Sequence, residues 1–252
     1  MDYYARKPYH CQGFAEKNAN FVFIQYFIMK QSDKHYFDNV GDENFKIFKR
    51  FPELIPAVGS NFWRDYDDKL FHKKLIFVGE SNYFKDVNED ESVFRDPKQW
   101  YYGDCSDKLI PARKKEAVSN WKGCGDGDTF GKVFAEATAV LDNNIPRESI
   151  LNEFVFYDYF LRPAEAKNGR YGFIPEQIDE EIAYKAFDGI IDLLLPDLII
   201  FLSKESYKSF NKYDNSKHSN YTIVPFDHPR ARKKPENYYR QIHETLEEKW
   251  IK

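Results

Sequence analysis

The segment LIFVGESNY, residues 75–83, decides how this chain folds. Its first four residues form a continuous apolar run, which Gly79 ends and polar side chains follow. An uninterrupted apolar run of this length, with polar residues on both sides, is typical of a strand buried on both faces of a parallel sheet. The polar residues behind it are therefore expected at the carboxyl end of a central strand, where α/β proteins bind their ligands.

Three further apolar runs predict three more strands, and helical patterns separate them. The runs are LNEFVFYDYF at 151–160, expected to stop at Arg162-Pro163, DLIIFLS at 197–203 and YTIVPF at 221–226. Residue spacing and breakers predict helices at 129–141, 175–195, 204–211 and from about 235 to 250. This alternation indicates an α/β fold, a three-layer sandwich with a central, mostly parallel sheet of about four strands and helices on both faces.

The chain is expected to form a single domain over residues 1–252. Its first part, residues 1–65, is aromatic and is interrupted by Pro52, Pro56 and Gly59, so it is predicted to be an irregular extension packed on the core. Residues 85–128 are expected to form a long connecting segment between the first strand and the next helix.

The composition excludes several classes of protein. Of the 252 residues, 42% are hydrophobic and 31% are charged, which excludes an intrinsically disordered or fibrous chain. Lys and Arg number 37 against 41 Asp and Glu, and the net charge is −4. A nucleic acid would therefore have to be held by a local basic patch rather than by a uniformly basic surface.

The cysteines and the apolar runs point to a cytoplasmic protein without membrane contact. Cys11, Cys105 and Cys124 lie far apart and include no CxxC pair, which indicates neither a disulfide framework nor a zinc site. The beginning of the chain lacks the apolar core of a signal peptide. Its longest apolar run, residues 21–29, is much shorter than the roughly 20 residues of a membrane helix.

Four polar segments follow the predicted strands, at 79–83, 157–159, 203–204 and 227–229, and the fold would bring them to one edge. The chain reads VGES-x-Y, then FYDYFLRP, then LLPDLIIFLS, then a strand leading into His228-Pro229. This order of motifs resembles the uracil-DNA glycosylase superfamily over roughly residues 70–245. The first motif is most similar to that of uncharacterised bacterial members carrying GES-x-Y.

The resemblance implies an enzyme that turns a modified base out of DNA and hydrolyses its N-glycosidic bond as a monomer, with no metal or organic cofactor. Glu80 would place or activate water, and its charge would stabilise an oxocarbenium-like transition state. His228 would donate a hydrogen bond to the base carbonyl as negative charge develops there. The residues implied to bind the base and its sugar are Ser81, Asn82, Tyr83 and Asp158.

Two residues depart from the family pattern. Ser81 stands where well-known glycosylases have Asp or Asn, and because a serine hydroxyl is no base without help, catalysis would fall to Glu80. Asp158 stands where Asn commonly reads the base edge. An ionised aspartate only accepts hydrogen bonds, so it would repel the uracil carbonyl and suit an edge that presents donors. The hypothesis is that uracil is not the preferred base, or that the site is catalytically silent.

A basic cluster lies just past the His-Pro pair and consists of Arg230, Arg232, Lys233 and Lys234. Four cations in five residues beside a site loop would suit the nucleic-acid backbone, single- or double-stranded. The alternative interpretation of this cluster is a solvated loop.

The sequence also leaves structural roles and other functions open. Glu80 could cap a helix or pair with an arginine, His228 could be a turn residue, and Asp158 could pair with Arg162 or Arg170. The alternative to a glycosylase is a catalytically silent module that binds a nucleotide or single-stranded nucleic acid. A small-molecule hydrolase on the same scaffold is a third reading.

Overall fold

The computed structural model describes residues 46–51, 54–63, 71–84, 96–103, 129–141, 145–167, 170–172, 174–229 and 235–251. At its centre is a sheet of six strands. In chain order they are β1 (Ala57–Val58), β2 (Leu75–Phe84), β3 (Val155–Lys167), β4 (Arg170–Gly172), β5 (Leu198–Phe201) and β6 (Thr222–Pro225).

The four predicted strands are the parallel ones. The sheet order is β1-β3-β2-β5-β6, with β4 paired to β3, and the parallel pairs are β3–β2, β2–β5 and β5–β6. The two short strands β1 and β4 pair antiparallel with β3. The α/β sandwich with a mostly parallel sheet is confirmed, while the strand count rises from about four to six.

Helices cover both faces of this sheet. They are α1 (Lys46–Arg50), α2 (Pro97–Tyr102), α3 (Thr129–Leu141), α4 (Gln177–Leu194), α5 (Lys204–Asp214) and α6 (Pro235–Leu246), with a 3₁₀ turn at Arg147–Asn152 and a π-helical turn at Glu247–Ile251. On what we call the α3 face, α3 and α6 pack against Phe77 and Phe156. On the opposite, α5 face, α1, α2, α4 and α5 pack against Val78 and Tyr157. Successive strand residues thus supply two separate cores.

Strand β3 is longer than predicted. Instead of stopping at Arg162-Pro163 it continues to Lys167 and turns back into β4. Ser81 pairs with Phe160 but Tyr83 pairs with Ala164, so β3 holds two extra residues in this interval. Proline lacks the N–H that a ladder needs, and such a bulge is a place in a strand where it is tolerated.

Part of the segment predicted to be irregular has regular structure. Within residues 46–63, helix α1 packs Ile47 and Phe48 onto the α5-face core, and β1 pairs Val58 with Val155. The extension is therefore partly regular within this range, because tertiary packing stabilises elements too short to show a periodic pattern. Residues 1–45 lie outside the described residues.

A buried ion pair ties α4 to β3. Arg162 donates from Nε and Nη2 to the Asp179 carboxylate at 2.8 and 2.6 Å, and the Tyr101 hydroxyl donates to the same carboxylate at 3.0 Å. All three residues are buried. Arg162 is thus the partner of Asp179, and the proposed Arg162–Asp158 pair does not form.

The last turn of the chain closes the start of β2. The Lys73 amide donates to the Trp250 carbonyl at 2.9 Å, and the Trp250 indole donates to the Lys73 carbonyl at 2.7 Å. Trp250 is fully buried, and its ring centroid lies 4.9 Å from that of His72. Within the described ranges, none of the helices is long and apolar enough to cross a bilayer.

Candidate functional site

The candidate site lies where two strands end and their neighbours continue. Val78 of β2 pairs with Phe201, the last residue of β5, and Phe201 pairs with Pro225, the last residue of β6. Strands β2 and β3 run on together beyond this level. The polar residues after β5 therefore lie beside the stretch of β2 that begins at Gly79, and those after β6 lie one strand further out.

Gly79 and Asp158 are register partners on adjacent parallel strands, and the Asp158 carboxyl occupies the space beside Gly79 that a side chain there would need. A Cβ at residue 79 would collide with Oδ1 of Asp158 and would lie 3.2 Å from Cζ of Phe156. The absence of a side chain at 79 is what lets the Asp158 carboxyl lie against the β2 backbone. This glycine is therefore required by the carboxyl group across from it.

The Asp158 side chain is half-buried, and burial removes much of the water that would otherwise solvate its carboxyl. Burial, and then the negative charge of Glu80, raise the pKa of Asp158 from 3.8 to about 7. Among the described residues this carboxyl has neither a hydrogen-bond donor nor a cation as partner. The raised pKa favours the protonated form of this carboxyl over a wider pH range than is usual for an aspartate.

Glu80 has a defined partner in Ser203. The Ser203 hydroxyl donates to Oε2 of Glu80 at 2.6 Å. Ser203 is also the N-cap of α5, where its oxygen accepts from the Ser206 amide. Glu80 is thus held next to the amino end of a helix, where the backbone dipole favours negative charge. It neither caps a helix itself nor pairs with an arginine among the described residues.

Strand alternation sends the two carboxyls to opposite faces of the sheet. Phe156 belongs to the α3-face core, and two residues on, Asp158 follows on the same face. Val78 belongs to the α5-face core, and Glu80 follows it there toward Ser203. Glu80 and Asp158, the carboxyl pair, therefore lie on opposite faces of the sheet, near enough for the charge of Glu80 to raise the pKa of Asp158.

Aromatic rings surround the Asp158 side of the site. The Phe130 ring on α3 lies 5.2 Å from that of Phe156 and 6.2 Å from the His228 imidazole, edge to face in both cases. His228 is half-buried in the loop after β6. The structure therefore brings His228 to the same face as Asp158, through Phe130 and Phe156.

A surface ion pair joins the two loops beside the site. Nζ of Lys204, the first residue of α5, lies 2.9 Å from Oδ1 of Asp227 in the loop after β6. Both side chains are about half exposed, at 52% and 57%. An exposed pair of this kind contributes little to stability, about 0 to 1 kcal/mol.

The remaining predicted site residues are placed unevenly. Ser81 is half-buried on β2, next to Glu80. The backbones of Asn82 and Tyr83 belong to β2, and their side chains lie outside what the structure describes. The basic cluster also falls outside the described residues; its members are Arg230, Arg232, Lys233 and Lys234.

Sequence reasoning missed Phe130 altogether, and it placed Ser203, Lys204 and Asp227 at this edge without assigning them a role. Phe130, Ser203 and the Lys204–Asp227 pair all border the carboxyl pair or His228. Ser203 could have been recognised as an N-cap, since it stands just before a helical segment. Its bond to a carboxylate 123 positions away leaves no local signal.

Across the described part of the chain, no three His, Cys, Asp or Glu side chains are grouped so that they could hold a metal ion. The sequence matches no known protein family, and no curated protein matches it either. The likeness to uracil-DNA glycosylases thus rests on the motifs quoted above.

Proposed function

We propose that this chain is a DNA glycosylase-like protein that hydrolyses the N-glycosidic bond of a modified base turned out of the helix. The observation that carries this proposal is the Asp158 carboxyl, set against Gly79 beside the Phe156 ring, with Phe130 and His228 on the same face of the sheet. Buried polar groups beside aromatic rings can read the edge of a flipped base while the rings contact its faces.

The reaction assigns the carboxylate role to Glu80. As the bond between C1′ and the base nitrogen breaks, the sugar takes on oxocarbenium character, which a nearby negative charge stabilises. A water oxygen then bonds to C1′, and Glu80 accepts the proton that this water loses. Ser203 supports the role because its hydroxyl holds the Glu80 carboxylate in place.

His228 supplies the stabilisation of the leaving base. The base departs with the electron pair of the broken bond, and negative charge accumulates on its carbonyl oxygens. An imidazole N–H directed at such an oxygen lowers the energy of the anion. The edge-to-face contact with Phe130 supports this role, since it restrains the imidazole ring on the Asp158 face.

The proposed partner is DNA, with the basic cluster after Pro229 contacting its phosphates. Neutralising phosphates releases counterions, so binding would weaken as salt concentration rises. The protein would act as a monomer in the cytoplasm, without a metal or organic cofactor. Replacing the cluster residues Arg230, Arg232, Lys233 and Lys234 with Gln should reduce the salt dependence of binding, and an unchanged slope would assign the cluster to a solvated loop.

A second candidate is a module that binds a nucleotide or single-stranded nucleic acid without cleaving it. One observation favours it: Glu80 and Asp158 lie on opposite faces of β2, and Glu80 is engaged by Ser203. If that arrangement persists when the base is bound, no carboxylate reaches the sugar. The binding surface around Asp158 and His228 would be the same in both candidates.

The decisive experiment measures base release from single- and double-stranded oligonucleotides that contain uracil, hypoxanthine, xanthine or alkylated bases. Glu80→Gln and His228→Gln are compared with wild type, and Glu244→Gln serves as the matched control because Glu244 is exposed on α6. Release that is lost in the first two variants and kept in the control supports the glycosylase. Salt-sensitive binding without release supports the silent module, and absence of both overturns both candidates.

A further inference from the structure

We propose that Asp158 carries the single proton of the carboxyl pair and uses its O–H to select a base edge that presents one donor beside one acceptor. This inference rests on the proposed function, because it concerns how the same site recognises the base. It reverses the hydrogen-bonding character that an ionised aspartate would give the site.

The two carboxyls have unequal surroundings. Glu80 accepts a hydrogen bond from the Ser203 hydroxyl at the amino end of α5. Asp158 lies against the Gly79 backbone and the Phe156 ring, and it has no donor or cation among the described residues. Two neighbouring carboxyls with such different environments divide the acid and base roles between them.

The other ionisable groups at this edge do not change which carboxyl of the pair, Asp158 or Glu80, carries the proton. Lys204 is paired with Asp227, which leaves its charge compensated. His228 is on the Asp158 face but contacts Phe130. Tyr157, the chain neighbour of Asp158, is buried and its pKa is raised, first by burial, so it is neutral. Among the described groups, Glu80 is the charge that acts on Asp158, and with burial it holds the pKa of that carboxyl at about 7.

The proton changes which bases fit. A neutral carboxyl presents one O–H donor and one carbonyl acceptor, the same combination as the amide of an asparagine. It can pair with the adjacent ring N–H and carbonyl of uracil or hypoxanthine. An ionised carboxylate presents acceptors alone, and it complements two adjacent donors, as on the ring N–H and amino group of guanine.

Above pH 7, wild-type binding and release of uracil or hypoxanthine should fall about tenfold per pH unit, because a single proton is lost. Asp158→Asn has an amide that cannot titrate, so this fall should be absent from its pH profile.

Infrared spectroscopy of the free protein follows the carboxylic-acid band, which should disappear near pH 7 in wild type and be missing in Asp158→Asn. In Glu80→Gln the band should titrate at lower pH, because the neighbouring charge is gone.

The outcomes separate the two proposals. A band that titrates with Asp158, together with a fall in uracil release that Asp158→Asn removes, supports the inference. Release that is independent of pH in wild type, or that falls equally in Asp158→Asn, overturns the inference and leaves the glycosylase standing. If neither oligonucleotide binding nor base release occurs at any pH, the proposed function fails and base selection fails with it, whatever the infrared band shows.

Discussion

The carboxyl of Asp158 fills the space that a side chain at Gly79 would need, although 78 residues lie between the two in the chain. The two residues are register partners on β2 and β3, so the contact follows directly from the strand pairing. It places a titratable group in the middle of the candidate site.

Replacing Gly79 with Ala should destabilise the fold by about 1 to 3 kcal/mol, because the added methyl group collides with Asp158 and crowds Phe156. Chemical denaturation of wild type and variant measures this loss. In the double variant Gly79→Ala/Asp158→Ala, the loss due to Gly79→Ala should be smaller, because the colliding carboxyl is gone. Strictly additive effects of the two substitutions would contradict the contact.

Replacing Asp158 with Asn should change how stability depends on pH. Because the folded-state pKa of about 7 exceeds the ordinary 3.8, the native state retains a proton that the unfolded chain loses between these values. Wild-type stability should therefore fall as pH rises from about 4 to 7, by at most about 4 kcal/mol, and this contribution should be absent in Asp158→Asn. Urea denaturation at pH 5 and pH 8 tests this, and an equal wild-type-to-variant difference at both pH values would refute it.

Ser203 should affect both α5 and Glu80. Ser203→Ala removes the N-cap and the donor to Glu80, and it should cost about 1 kcal/mol or more. Ser203→Gly also removes the donor but keeps a residue that N-cap positions tolerate, so its loss should be smaller. Thermal unfolding of the two variants separates capping from the bond to Glu80. Wild-type stability in Ser203→Ala would argue against both roles.

Asp179 should be among the most sensitive polar positions of the core. Asp179→Asn leaves the buried charge of Arg162 without its carboxylate, and it should cost about 3 to 5 kcal/mol. Glu205→Gln is the control, since its pair with Lys208 is exposed on both sides and should contribute less than about 1 kcal/mol. Denaturation midpoints compare the two, and similar small losses would show that the buried pair is dispensable.

The parallel part of the fold could be predicted because strands buried on both faces have continuous apolar runs in the sequence. Leu75 to Val78 and Leu198 to Phe201 both show this pattern, and both are central strands. Strands β1 and β4 have two and three residues, too few for any periodicity, so they went unnoticed. Pro163 was taken as a stop because the bulge that accommodates it depends on the neighbouring strand.

The candidate site could be predicted only as far as strand ends reveal it. Glu80, Asp158 and His228 were proposed as site residues because polar residues follow apolar runs at these positions. The raised pKa of Asp158 could not be predicted this way, because it depends on burial and on the charge of Glu80. Nor could the partner of Arg162, since a salt bridge to Asp179 and one to Asp158 are equally compatible with the sequence.

The reciprocal bonds between Lys73 and Trp250 have a consequence for biosynthesis. They close the entry to β2, the strand that pairs with both β3 and β5 at the middle of the sheet. A ribosome must therefore have translated residue 250 before the centre of this fold is fully enclosed. Until then the nascent chain exposes an apolar strand, which is where a chaperone would bind it.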